Sequence, residues 1–313
     1  MRHNGSPSNF SSLNLRATLQ AHAPGYMSAL PFPHAIIESL FPEKSLRALA
    51  AEIPETMLAS GCVPGAAACY RKRGVHYRKS ELHDAAQGPY TRALFATLRT
   101  RSFVQFLERL SGVHRLIPDP GFQGSGVHLT GPGGILKVHH DFNFMRCKRT
   151  ESADGDYVWD HGGGSGGRVS YSDCRRGASA PSETMGDGSS AGDAGYSRLH
   201  RRVNVFVYIN DDWPESYNGH LELWSRNMTT CVRRIAPTFG RFVVFSSTDF
   251  SFHGHPAPMP LPPGRMRRSL AFYYYTEGDR PVAECEAGDC ASFHDARWQD
   301  PVGCAHCRAC AST

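Results

Sequence analysis

Residues 240–248 read GRFVVFSST, four apolar residues in a row between a glycine-arginine pair and a run of hydroxyl side chains. Two of the four are β-branched and two aromatic, the composition of a short strand. Moving outward, the same texture recurs in GSGVHLT (124–130), GGILKVHHDF (133–142), RRVNVFVYIN (201–210), GHLELWS (219–225), TTCVRRIAPT (229–238) and RRSLAFYYYT (267–276). Each run is of strand length and is set off by glycine or proline. Few helical patterns interrupt them, so strand–helix–strand crossovers are not expected. The chain therefore reads as mostly β, with an antiparallel jelly roll as its core.

Helical periodicity is confined to the N-terminal part. PFPHAIIESLFPEKSLRALAAEIPE, from Pro31, reads as two short helical pieces broken at Pro42, with Ile36, Ile37, Leu40, Leu46 and Leu49 inward. A second helical region covers 90–112, where Phe103, Phe106, Leu107 and Leu110 follow helical spacing and Gly112 is the stop. These helices are expected to pack outside the sheet. Residues 1–30 read as a disordered tail; their serines and arginines, with no acidic residue before Glu38, offer an organellar import segment as the alternative. Residues 148–197 are rich in Gly, Ser and Asp and read as a structureless insert between strands that pair, either inert or a lid.

With 34 Lys and Arg against 29 Asp and Glu among 313 residues, the net charge is a mild +5 and no long basic run occurs. That argues against nucleic acid as a partner. No stretch approaches the ~20 apolar residues of a membrane-spanning helix. No secretory leader is recognisable at the start, so the ten cysteines are expected as reduced thiols in the cytoplasm. Five of them, Cys285, Cys290, Cys304, Cys307 and Cys310, crowd a C-terminal extension, 283–313. Their spacing admits a structural zinc knuckle or an unligated tail. Oligomeric state has no signal in the sequence.

The chemistry concentrates in three places. His139 and Asp141 stand two apart in a strand-like run and share a face, so an imidazole and a carboxylate are offered side by side. His253 and His255, after the strand 240–248, supply a third ligand from a distant part of the chain. Two histidines and one carboxylate with open positions describe a non-haem Fe(II) oxygenase centre. Arg267 and Ser269 are again two apart, and a guanidinium fork beside a hydroxyl is suited to gripping a carboxylate. A carboxylate clamp beside an iron site points to a 2-oxoacid cosubstrate.

Taken as a set, HxD…H…RxS resembles the 2-oxoglutarate/Fe(II)-dependent dioxygenases, in their prolyl 4-hydroxylase-like branch. The resemblance lies in PFPHAIIESLFPE (31–43), GGILKVHHDFN (133–143), LHRRVNVFVYINDDWPESYNGHLELW (199–224), CVRRIAPTFGRFVVFSSTDFSFHGHP (231–256) and RRSLAFYYYTEGDRP (267–281). It implies a double-stranded β-helix over residues 31–282 and iron ligands His139, Asp141 and His253, with His253 preferred to His255. It implies that Arg267, helped by Ser269, holds the far carboxylate of 2-oxoglutarate, with Tyr208 lining the pocket; His128 is a further cleft candidate or a packed histidine. Fe(II), 2-oxoglutarate, O2 and ascorbate would be required, and a peptidyl prolyl residue would be hydroxylated as 2-oxoglutarate is decarboxylated to succinate and CO2. A small molecule or another side chain is the alternative substrate. A non-catalytic metal-binding jelly roll or an interaction module is the alternative function. Two departures stand out: Asn218-Gly219-His220-Leu221 replaces the family's Gly-Gly-x-Leu, and relatives lack a long segment at 148–197.

Overall fold

The structure is a computed structural model that describes residues 10, 12–53, 68–73, 76–82, 87–122, 124–151, 157–158, 168–176, 195–278 and 280. In chain order these form α1 (Leu15–Tyr26), β1 (His34–Ile37), α2 (Glu43–Glu52), β2 (Ala68–Arg73), β3 (His76–Leu82), α3 (Pro89–Leu98), α4 (Arg101–Ser111), β4 (Ile117–Pro118) and β5 (Gly126–His139). There follow β6 (Phe144–Glu151), β7 (Tyr157–Val158), β8 (Arg168–Arg176), β9 (Tyr196–Tyr208), β10 (Leu221–Trp224), β11 (Cys231–Ile235), β12 (Phe242–Ser246), β13 (His253–His255) and β14 (Arg267–Glu277).

All strand ladders among the described residues are antiparallel, and the sheet curls into a jelly roll because its two longest strands change partners along their length. The first half of β5 pairs with β14 and its C-terminal end, at Leu136 and His139, with β13, which in turn pairs with β10 and, through it, reaches β11. β9 pairs with β14 from Leu199 to Tyr208, with β12 at its C-terminal half and with β6 at its N-terminal end.

Alternation assigns the two faces. Val203, Val205 and Val207 of β9, Val244 of β12, and Leu270, Phe272 and Tyr274 of β14 face the helices. Their neighbours Tyr208, Val243 and Phe245 face inward on Val138, Leu221, Leu223 and Phe252. α4 covers the outer face with Phe103, Phe106, Leu107 and Leu110, all nearly inaccessible, as its periodicity requires. Thr100 caps its first turn, accepting a hydrogen bond from the Phe103 N–H, and Gly112 ends it at a φ of 71°.

Several expectations need correction. Residues 15–26 are not a disordered tail: they form α1, and Tyr26 is fully buried with its hydroxyl 3.1 Å from Ser246 Oγ of β12. The first of the two short helical pieces is the strand β1. The β-branched Ile36 and Ile37 find Val243 and Phe242 across a ladder, and that pairing overrides their helical spacing. The region 90–112 breaks into α3 and α4 at Thr100. Segment 148–197 is not structureless throughout, since β8 pairs with β6, which also pairs with β9. Nor are all cysteines reduced: Cys147 and Cys174 form a disulfide between β6 and β8. Strands β2 and β3 went unread, because ACYRKR and HYRKSEL carry too much charge to stand out as apolar runs. The C-terminal cysteines, with the zinc alternative, lie outside the described residues.

Candidate metal centre

The centre is built at the end of β5. The ladder places His139 directly opposite His253 of β13, with ring centroids 4.6 Å apart. Asp141 lies beyond the strand rather than in it, and the chain turns there. Its carbonyl oxygen accepts hydrogen bonds from Asn143 N–H (2.9 Å) and Ser247 Oγ (2.8 Å). The carboxylate is thereby brought back beside both rings, 3.7 Å from His139 Nε2 and 3.5 Å from His253 Nε2. One ligand atom from each of the three lies within 4.8 Å of the others.

Both imidazoles are oriented in the same way. His139 Nδ1 donates to the Lys137 carbonyl oxygen at 2.8 Å, and His253 Nδ1 donates to the Ser251 carbonyl oxygen at 2.9 Å. Each ring is tied to the carbonyl two residues earlier in the chain, which fixes Nδ1 as the donor and aims Nε2 at the partner. Burial, together with the nearby His253, pushes the His139 pKa down to about 3, so the ring is neutral at physiological pH. Burial favours the protonated form of Asp141, yet Arg201, His253 and His139 outweigh it and hold the carboxyl well below its usual range. Two imidazole nitrogens and one ionised carboxylate are the donor set of a non-haem Fe(II) site, and they fit that ion.

A second polar group lies on β14. Arg267 is only 6% exposed, and its guanidinium donates from Nε to the Gly219 carbonyl oxygen (2.7 Å), from one terminal nitrogen to Tyr208 Oη (3.3 Å) and from the other to Ser269 Oγ (3.5 Å). Register explains the set: Ser269 pairs with Tyr208 of β9 and with His128 of β5. Every acceptor is neutral. Among the described residues no carboxylate comes within ion-pair range of Arg267, and its burial lowers its pKa. A buried cation without a counter-charge is costly, and a ligand carboxylate would supply the missing partner.

Gly219 has no alternative here. Its φ is +71°, and a Cβ would sit 2.5 Å from Met259 Sδ and 3.2 Å from Arg267 Cδ. The neighbouring Asn218 adopts a φ of 55° where the family has its first glycine, and its side chain donates to the Pro258 carbonyl oxygen at 2.9 Å. Asparagine tolerates positive φ better than most residues, so the departure in sequence preserves a turn with two positive-φ residues.

His255, although buried, pairs with Leu136 and is outside the cluster that holds His253. His140 is not part of that cluster and packs beside Phe252. His128 is the ladder partner of Ser269, and its Nε2 lies 2.9 Å from the Gly124 carbonyl oxygen and 3.8 Å from Glu81. Two residues that the sequence reading missed approach Asp141. Asn204 Nδ2 donates to Oδ2 at 2.7 Å, and an Arg201 terminal nitrogen lies 3.2 Å from the same oxygen. A signal existed for Asn204: it is polar at the parity of Phe206 and Tyr208 in an apolar strand.

Residues 187–275 match the family model described as the 2OG-Fe(II) oxygenase superfamily, a span that includes Tyr208, His253, Arg267 and Ser269 but not His139 or Asp141. Among solved structures, a prolyl-4-hydroxylase from Pseudomonas putida is similar at 15% identity and a TM-score of 0.45, over 83% of this chain and 100% of that one. A Trichoplax adhaerens prolyl hydroxylase, solved in complex with a hypoxia inducible factor oxygen degradation domain peptide fragment, is similar at 13% identity and a TM-score of 0.46, over 87% of this chain and 96% of that one. No curated protein matches the sequence.

Proposed function

We propose that this chain, a member of the 2OG-Fe(II) oxygenase superfamily and so a 2-oxoglutarate-dependent dioxygenase, hydroxylates a prolyl residue within a polypeptide. The observation that carries the reading is the pairing of a cluster of two histidines and one aspartate with a buried guanidinium that has no acidic partner among the described residues. In this reading His139, Asp141 and His253 hold the iron, and Arg267, Ser269 and Tyr208 receive the far carboxylate of 2-oxoglutarate. When bound, Fe(II) supplies the oxygen-activating redox chemistry, coupled to decarboxylation of 2-oxoglutarate to succinate and CO2. Ascorbate serves as the reductant that keeps the metal ferrous.

The protein's share is orientation and exclusion of water. His139 and His253 each donate Nδ1–H to a backbone carbonyl, which turns Nε2 toward the site. Asp141 stays ionised beside Arg201. Ser269 and Tyr208 oxygens hold two arms of the Arg267 fork, leaving a charge-assisted grip for a carboxylate. Val138, Tyr208, Leu221, Val243 and Phe245 form an apolar wall on the inner face of the sheet, which strengthens each charge interaction.

The choice of substrate rests on the resemblance of the sequence motifs to the prolyl 4-hydroxylase-like branch. Phe10 and Tyr26, both ahead of residue 31, are buried in the same hydrophobic cluster as β9, β12 and β14. The test is succinate formation from 2-oxoglutarate with a library of proline-containing peptides. Turnover that depends on the prolyl residue and vanishes in Asp141→Ala supports the reading. Turnover with non-prolyl peptides or small molecules alone overturns the substrate choice.

A further inference from the structure

The two oxygens of Asp141 are not equivalent. Oδ2 takes a hydrogen bond from Asn204 Nδ2 at 2.7 Å and an ion-pair contact from Arg201 at 3.2 Å. Each oxygen also lies near one of the histidines, Oδ1 3.7 Å from His139 Nε2 and Oδ2 3.5 Å from His253 Nε2. Both donors are held rigidly. Asn204 is fully buried in β9, flanked across its ladders by Phe245 and Tyr273. Arg201 is 6% exposed, with its guanidinium 3.7 Å from the centre of the Tyr273 ring. It sits next to a register shift where Tyr274 faces Val203 and Tyr275 faces Arg201. That irregularity turns Arg201 to the same interior as Asn204, although the two differ in parity.

Asn204 also carries an unmatched atom. Its Oδ1 is buried and has no hydrogen-bond partner among the described residues. An amide placed only for packing would be a poor choice at such a site, since an unsatisfied buried acceptor costs about 1–3 kcal/mol. The strand would accept valine there, as it does at 203, 205 and 207. What the amide gains is the bond to Asp141.

We propose that Asn204 and Arg201 are positioning residues that engage Oδ2 of Asp141, so that the carboxylate gives the metal one oxygen rather than two and leaves room for a chelating 2-oxoacid. The inference rests on the reading of His139, Asp141 and His253 as metal ligands. A carboxylate with both oxygens available competes for the positions that a cosubstrate needs. A carboxylate with one oxygen already satisfied does not.

The test uses the full chain and two separate readouts: Mn(II) affinity without cosubstrate, and the 2-oxoglutarate midpoint from the visible charge-transfer band of the anaerobic Fe(II) protein. In Asn204→Leu, the 2-oxoglutarate midpoint is expected to rise about tenfold while Mn(II) affinity stays within about threefold of wild type, less than the roughly 10–100-fold loss usual when an outer partner serves to hold the metal. Asn204→Thr restores a donor and returns the midpoint to within about threefold. Arg201→Met, which keeps an aliphatic stem over Tyr273, shifts it in the same direction as Asn204→Leu and provides the readout should that variant fail to fold. An unchanged midpoint in both Asn204→Leu and Arg201→Met overturns the proposal. So does parallel loss of Mn(II) and 2-oxoglutarate binding in a variant whose melting temperature is unchanged, which would assign these residues to holding the metal itself. A wild-type protein that binds Mn(II) but gives no band instead defeats the reading of the cosubstrate.

Discussion

His139 and His253 face each other across the ladder between β5 and β13, their rings 4.6 Å apart and each anchored through Nδ1 to a nearby backbone carbonyl. The chain brings them together from positions 114 apart in sequence, and the third ligand candidate, Asp141, follows from the turn that ends β5. His255 is the natural control, being buried two residues away but paired with Leu136. His253→Ala is expected to lower Mn(II) or Fe(II) affinity at least about a hundredfold, and His255→Ala by less than about fivefold. Isothermal titration of the metal-free protein reads both. Equal losses would put the third ligand elsewhere.

Gly219 carries two independent constraints, a φ of +71° and the 2.5 Å approach of a hypothetical Cβ to Met259 Sδ. Its carbonyl oxygen also takes the Arg267 Nε hydrogen bond. Gly219→Ala should therefore destabilise the fold by about 1–3 kcal/mol through strain and raise the KM for 2-oxoglutarate several-fold by displacing the guanidinium. Thermal melting and steady-state kinetics measure the two effects. A variant with wild-type KM would separate the turn from the carboxylate grip.

The Cys147–Cys174 link joins β6 to β8 across a sequence separation of 27. Closing a loop of that length constrains the unfolded chain by about 3–4 kcal/mol in the loop-entropy description. Cys147→Ser, or reduction by dithiothreitol, should lower the melting temperature by several degrees. Cys231→Ser should leave it within about a degree. A non-reducing peptide map that finds both thiols free would contradict this pairing.

His200 predicts how stability responds to acid. Burial, and then the nearby Arg280, Arg198 and Arg202, push its pKa down to about 3 from an ordinary 6.5. Between those values the unfolded chain binds a proton that the folded one refuses, so stability falls as pH drops from 6.5 toward 3, by at most about 1.4 kcal/mol per unit from this group. In metal-free protein His139 acts with the same sign. His200→Phe should flatten the loss of melting temperature between about pH 6.5 and 4.5 relative to wild type. An unaltered slope would remove His200 from the account.

The inner sheet was legible because its strands are apolar and bounded by turn residues: 201–210, 240–248 and 267–276 stand in the structure close to where their composition puts them. The ligand candidates were legible for the same reason, each following or ending such a strand. What escaped notice depends on tertiary contact. Ile36 and Ile37 have helical spacing, and only the edge of β12 makes them a strand. Tyr26 belongs to a segment of low apolar content, and its burial under the sheet is invisible without Ser246. Arg201 could not be placed, because a register shift between β14 and β9 decides which way it points. Cys147 and Cys174 became a pair only when a segment rich in glycine proved to contain a strand.

The central claim joins a metal cluster to a buried cation awaiting a carboxylate, and anaerobic titration with Fe(II) and 2-oxoglutarate tests it most directly. Wild-type protein should develop a visible charge-transfer band that saturates with 2-oxoglutarate. Arg267→Met should bind Fe(II) as wild type does but require at least about a hundredfold more 2-oxoglutarate, since a charge-assisted pair in a buried site is lost. Arg267→Lys should fall between them, keeping the charge without the fork. A band that saturates equally in wild type and Arg267→Met, or iron-loaded wild type that shows no band, would contradict the account.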